Sequence, residues 1–256
     1  MMRLLVIAGV LAVTTPALAA GDEAPPTWGF SFRLGPYQPG MGRNADYYKA
    51  SYTSANDGSL FKNRPLMSEI ELDWYILRDI GLLGPMLQLG LWSVSASTKY
   101  CVHNGLNGTC STREILTPGV SQTGTDSSKL AVYPVGLGLV YKLDLIKRYT
   151  VIPLVPYAKG GLTYFLWRNT VGGDISHYNG KPAYGGTLGA RGTLGLAFNI
   201  DVLEPGAASR ARMSTGIADS YLFAEWSYLW VDGFGAKKRL DFSGNVIQVG
   251  FAVDFL

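Results

Sequence analysis

The chain has 256 residues, a formal net charge of +3 and only 16% charged side chains, beside 32 Gly, 15 Tyr, 10 Phe and 6 Trp. This composition favours a sheet protein with many tight turns over a helical one. It also argues against nucleic acid as a partner, because no Lys/Arg stripe interleaved with aromatics runs through the chain.

Met1-Met2-Arg3 is a short basic start, residues 4–13 are apolar, and Ala17-Leu18-Ala19 has small-x-small spacing. These features predict a secretory signal over 1–19, cleaved after Ala19. The apolar stretch is shorter than the ~20 residues of a spanning helix. No later run is both long and uninterrupted, since Gly, Pro or a charge breaks every candidate. Any membrane residence must therefore use strands. No linker divides residues 20–256, which are expected to form one domain.

Eight segments alternate with period two, each long enough for the ~9 to 11 residues of a tilted membrane strand. The first, 27–36, sends Trp28, Phe30, Phe32 and Leu34 one way and Gly29, Ser31, Arg33 and Gly35 the other. In 66–77, Ile70, Leu72, Trp74 and Ile76 oppose an acidic row of Glu69, Glu71 and Asp73 with Tyr75. In 83–95, Leu83, Leu87, Leu89 and Leu91 oppose Gly84, Met86, Gln88, Gly90 and Trp92. Segment 129–141 carries Tyr133 and Tyr141 at the ends of an apolar row, as girdles at two interfaces require. Segment 151–167 places Lys159 among Tyr157, Gly161 and Thr163, with Pro153 and Pro156 weakening its start. Segment 186–200 turns Arg191 inward, and 220–231 turns Glu225 inward opposite Trp226, Tyr228 and Trp230. The last, ending at Phe255, sets Ile247, Val249, Phe251, Val253 and Phe255 against Gln248, Gly250, Ala252 and Asp254. The expected fold is all-β, a closed antiparallel eight-stranded up-and-down transmembrane barrel. The competing arrangement, a soluble two-sheet sandwich, does not account for apolar faces tipped with aromatics opposite faces that gather charge and glycine.

An even strand count returns both ends to one side, expected to be the periplasm. The connections 37–65, 98–128, 168–184 and 232–241 then face outward, and 78–82, 142–150 and 201–219 inward. The last is too long for a hairpin, and Glu204, Ala207, Ala208, Arg210, Ala211 and Arg212 suggest a short surface helix. Cys101 and Cys110, in an exported chain, are expected to form a disulfide pinning a loop. The rival, half a metal site, has only His103 nearby, and no metal or other cofactor is expected. His103 and His177 fall in outer loops without a nucleophile-base motif, so no catalytic residue is assigned and the chain is expected not to be an enzyme.

The expected lumen gathers Glu69, Glu71, Asp73, Glu225 and Asp254 against Arg33, Lys159 and Arg191. An eight-strand interior is narrow enough for side chains to fill it and pair these charges. A salt-bridged plug is the first expectation, and a narrow path for protons or ions is the alternative.

The ending Gln248-Val249-Gly250-Phe251-Ala252-Val253-Asp254-Phe255 resembles the C-terminal signal by which bacterial outer-membrane proteins reach their insertion machinery. Gln248, Gly250, Val253 and Phe255 carry the likeness, while Leu256 departs from the usual aromatic end. More broadly the chain resembles the eight-stranded outer-membrane proteins of the OmpA, OmpX and OmpW type. It is also similar to an uncharacterised outer-membrane barrel family of myxobacteria. That similarity rests on Leu34-Gly35-Pro36-Tyr37, the stretch from Ile152-Pro153 to Gly161-Leu162, and Tyr221-Leu222-Phe223-Ala224-Glu225 with Asp232-Gly233-Phe234-Gly235. The resemblance implies residence in the outer membrane of a Gram-negative cell, with outer-membrane lipid, the insertion machinery and an unknown extracellular ligand as partners. It implies no activity. Structural or adhesive display by the loops is the leading expectation. A porin-like passive channel for small solutes or ions comes second and a lipid-modifying enzyme third.

Overall fold

The computed structural model describes residues 24–40, 65–103, 106–109, 121–150, 152–178, 180–236 and 239–256. The expected signal segment, Cys110 and the side chain of Cys101 lie outside the described residues, and so does the expected disulfide.

All eight alternating segments are strands: β1 (Trp28–Pro36), β2 (Leu66–Trp74), β3 (Leu82–His103), β4 (Ser121–Lys142), β5 (Leu154–Val171), β6 (Tyr184–Asn199), β7 (Ile217–Trp230) and β8 (Gly244–Phe255). Each pairs antiparallel with its sequence neighbour, and β8 pairs back onto β1 with Phe251 opposite Phe32. The ring is thereby closed and the wall has no free edge, which is how a sheet satisfies its backbone without water. Among the described residues no helix is long and apolar enough to cross a membrane.

The alternation is inverted relative to a soluble domain. Phe30, Leu137, Leu194 and Ile247 are 42%, 64%, 60% and 64% exposed on the outer wall, while Arg33, Glu69 and Asp254 are 1%, 1% and 0% exposed inside. Burying ions and exposing aliphatic residues is stable only if the outer solvent is hydrocarbon. Trp28 and Trp74 stack at 5.4 Å between centroids near the end that carries both described termini, here the near end. Trp230 and Phe234 meet edge to face at 5.6 Å toward the far end.

Two inward glycines let strands approach where a side chain could not fit. A Cβ on Gly84 would lie 1.7 Å from the Trp74 carbonyl oxygen, and one on Gly250 would lie 2.2 Å from that of Phe32.

The connections depart from expectation at three places. Segment 98–128 is not simply a loop. Residues 92–103 of β3 continue past the last β2 partner, those up to Cys101 running with the first part of β4 for roughly 34 Å at ~3.4 Å per residue, and a short strand, Leu106–Thr109, folds back onto their end. This extension lacks the aliphatic row of the spanning part, so nothing in its residues separated it from loop. Likewise β5 reaches Val171, and two-residue strands occupy part of 168–184. Pro156 sits within β5, opposite Leu196; it faces outward beyond the last β4 partner of its strand, where no amide is missed on that side. Conversely, β2 ends at Trp74, three residues early, with only an isolated bridge from Leu77 to Leu83.

At the near end a short helix α1 (Leu145–Tyr149) follows β4. The expected surface helix is α2 (Pro205–Thr215), preceded by a 3-10 turn, Ile200–Leu203. Proline in its first turn and Gly216 at φ 72° beyond its end set its limits. Arg212 donates to the carbonyls of Ala218 (3.2 Å) and Ala24 (3.0 Å), tying α2 to the rim.

Candidate functional site: a charged lumen

Because inward positions recur at every second residue, the strands deliver their polar side chains to one axis, in three tiers. Toward the far end, Arg191 on β6 donates from Nη1 to both Glu69 oxygens (2.7 and 2.9 Å) and from Nη2 to Gln248 (2.7 Å) and Ser227 (2.9 Å). Gln248 returns a bond to Glu69 at 3.0 Å. In the middle, Arg33 reaches Glu71 at 2.5 Å, Glu225 at 2.9 Å and Glu69 at 3.3 Å. Lys159 lies 2.5 Å from Glu71 and 3.3 Å from Glu225, and the Tyr157 hydroxyl donates to Glu225 at 2.9 Å. Toward the near end, Lys142 sits 2.9 Å from Asp254 and 3.8 Å from Asp73, with the Tyr75 hydroxyl 2.9 Å from Asp254 and 3.2 Å from Asp73.

All eight charged residues assigned to the lumen from the sequence are there and buried, six of them linked in one ion-pair network and Asp73 and Asp254 in a separate tier nearer the termini. The sequence reading missed a ninth, Lys142. It was assigned to a turn, but β4 runs one residue further and Lys142 points inward opposite Tyr157. It shares inward parity with Gly136, Gly138 and Val140, and that was the available signal. The residues assigned to the insertion signal divide by face. Gln248 is bound into the network and Gly250 faces in, whereas Val253 and Phe255 stand on the outer side.

Each ion here has lost its hydration, so stability depends on geometry and on saturating every oxygen. Three bases meet three acids in the upper two tiers, and one base meets two acids in the lowest.

Beyond the polar tiers the far half of the lumen is packed with apolar side chains. Tyr37, Met67, Trp92, Val132, Phe165 and Phe242 belong to one buried cluster there. The Tyr37 hydroxyl donates to the Phe242 carbonyl, and Trp92 Nε1 donates to the Tyr37 carbonyl at 3.1 Å. Tyr37 and Phe242 come from the connections, not the strands, so two far-end segments fold into the barrel mouth and close it. Ser176 and His177 lie outside this lumen, with His177 in a two-residue strand paired to Pro182.

At the near mouth Lys147 pairs with Asp219, which also accepts from Asn199 at 3.1 Å. Burial pushes the nearby Asp201 carboxyl up, opposed in part by the bond it accepts from the Ser220 amide.

No protein-family model matches the chain, and no curated protein matches its sequence. Solved structures do. The N-terminal β-barrel domain of Pseudomonas aeruginosa OprF is 9% identical with a TM-score of 0.41, covering 90% of this chain and 99% of that one. The outer membrane protein OprG of the same organism is 11% identical at 0.41, covering 90% and 97%. The outer membrane protease OmpT of Escherichia coli is 8% identical at 0.35, covering 90% and 94%. One of these is a protease, and identities of 8–11% at such TM-scores transfer no function to this chain.

Proposed function

We propose that the protein is an integral outer-membrane barrel, exported with loss of residues 1–19, whose solid interior supports a far-end sheet and loops used for structural or adhesive contacts. The observation that carries this reading is the filled lumen, with ion pairs through the middle and Tyr37, Trp92, Phe165 and Phe242 across the far half. A wall this rigid can hold the β3–β4 extension well clear of a bilayer. The near end, with α1 and α2, then lies in the periplasm. The Cys101–Cys110 disulfide belongs to the same reading as a clasp on the extension, and thiol labelling of unreduced protein is expected to find neither cysteine.

The reading is non-enzymatic and non-conducting. Purified protein in planar bilayers is expected to give no unit currents, and reproducible currents would establish the passive channel instead. Overexpression is expected to leave lipid A and phospholipid acylation unchanged; an altered profile would establish a lipid-modifying enzyme. External protease on intact cells should cut within 98–128 and spare 201–219. The reverse pattern would overturn the orientation.

A further inference from the structure

The nine strand-borne charges of the lumen sum to one excess carboxylate, and the excess lies in the near-end tier, where Lys142 serves both Asp73 and Asp254. Three buried oxygens there have no hydrogen-bond partner: Ser31 Oγ, Asp73 Oδ1 and Asp254 Oδ2. Ser31 is 4% exposed, Asp73 2% and Asp254 0%. Ser31 and Asp73 also line an internal void with room for about one water molecule. An unpaired acceptor in such a place keeps the full penalty of its lost hydration, and the penalty is larger if it is charged. The protein would not carry three such oxygens in its interior unless something satisfies them.

We infer that this chamber binds one singly charged cation, a proton or an alkali ion, at Asp73 and Ser31. The chemistry is that of a single positive charge among oxygen donors. A divalent ion would need more carboxylates, and among the described residues no group of three or more acidic, His or Cys side chains is arranged to hold one. The charged and titratable groups around Asp73 are Glu71 and Tyr75 on its own strand, Lys142 on β4, Tyr157 and Lys159 on β5, Tyr221 on β7 and Asp254 on β8. Both lysines are already committed, Lys159 to Glu71 and Glu225 and Lys142 chiefly to Asp254. The approach for a cation would be from the near mouth. Lys142 keeps 9% of its side chain exposed, and its ammonium and that of Lys147 each lie 5.7 Å from the Tyr221 ring. The apolar far half bars the other route.

Thermal unfolding of the detergent-solubilised full chain tests this, with Na+ replaced by N-methylglucamine at constant ionic strength and the pH varied at constant Na+. The wild type is expected to lose several degrees of Tm when its cation is withdrawn. A loss on removing Na+ at fixed pH identifies the alkali ion, and a loss on raising pH at fixed Na+ identifies the proton. Asp73→Asn, which removes the excess charge, is expected to fold and to have lost that dependence. Equal dependence in wild type and D73N, or none in either, overturns the site. Should D73N fail to fold, the wild type alone decides by two measurements: thallium(I) anomalous scattering at the chamber, and an infrared band from a protonated carboxyl. Finding either supports the site, and finding neither overturns it.

Discussion

The two halves of the lumen are built from the same strands yet filled by opposite chemistry. The near half holds nine charges, six linked in one network and three in a separate near-end tier, whereas the far half is as apolar as the interior of a soluble domain. The difference shows that an inward position in a barrel demands only that a side chain be satisfied. Ions can meet that demand when the opposing strand supplies a partner within 3 Å, as Glu69 does for Arg191. Toward the mouth, where Tyr37 and Phe242 arrive from flanking connections, packing alone meets it. The charged half depends on pairing and is brittle to loss of one member; the apolar half depends on volume.

Removing the hub of the charged half should have the largest effect. Arg33→Met takes away the cation that touches all three of Glu69, Glu71 and Glu225, leaves Glu71 and Glu225 sharing Lys159, and is expected to cost about 3–5 kcal/mol in reversible urea unfolding from lipid. A cost under about 1 kcal/mol would mean the network is wet and screened. In the apolar half, Phe242→Ala is expected to cost about 3 kcal/mol through the cavity it leaves. Since its neighbours are apolar, the charged tiers should hold and the variant should remain non-conducting; a gain of current would show that the apolar half is the sole seal. On the outer wall, Leu137→Arg faces hydrocarbon and should cost about 2–4 kcal/mol, seen as a reduced yield of heat-modifiable folded protein. Asn107→Ala, on the far-end strand, should give the wild-type yield, and equal losses from both would sink the lipid-facing assignment. Within the lumen the smallest loss is expected from Tyr157→Phe, which deletes one bond to Glu225 while Lys159 and Arg33 still hold that carboxylate, and should cost about 1.5 kcal/mol.

Legibility in the sequence followed the same division. Every strand-borne charge assigned inward is inward, because period two is a local property and a wrong parity would put an ion into lipid. Lys142 escaped because it is the last residue of its strand, where alternation has no following residue to confirm it. Trp92 was legible as inward, but its partners Tyr37 and Phe242 were not, since they lie in segments without periodicity. The surface helix α2 was legible from its alanines and arginines. The extension of β3 and β4 was not, because residues such as Ser95, Ser97 and Thr98 do not distinguish strand from loop.

The sequence by itself determined which residues face hydrocarbon and which face inward, the number of strands, and hence a closed ring. Each of these depends only on neighbours along the chain and on the solvent outside. The tertiary structure alone decided how the inward residues are shared among tiers, that Lys142 joins Asp73 and Asp254, that two connections fold back to stopper the far mouth, and where one negative charge is left over. Those outcomes depend on strand register and on contacts between residues far apart in the chain, such as Tyr37 and Phe242, 205 positions apart. No local pattern encodes such a distance.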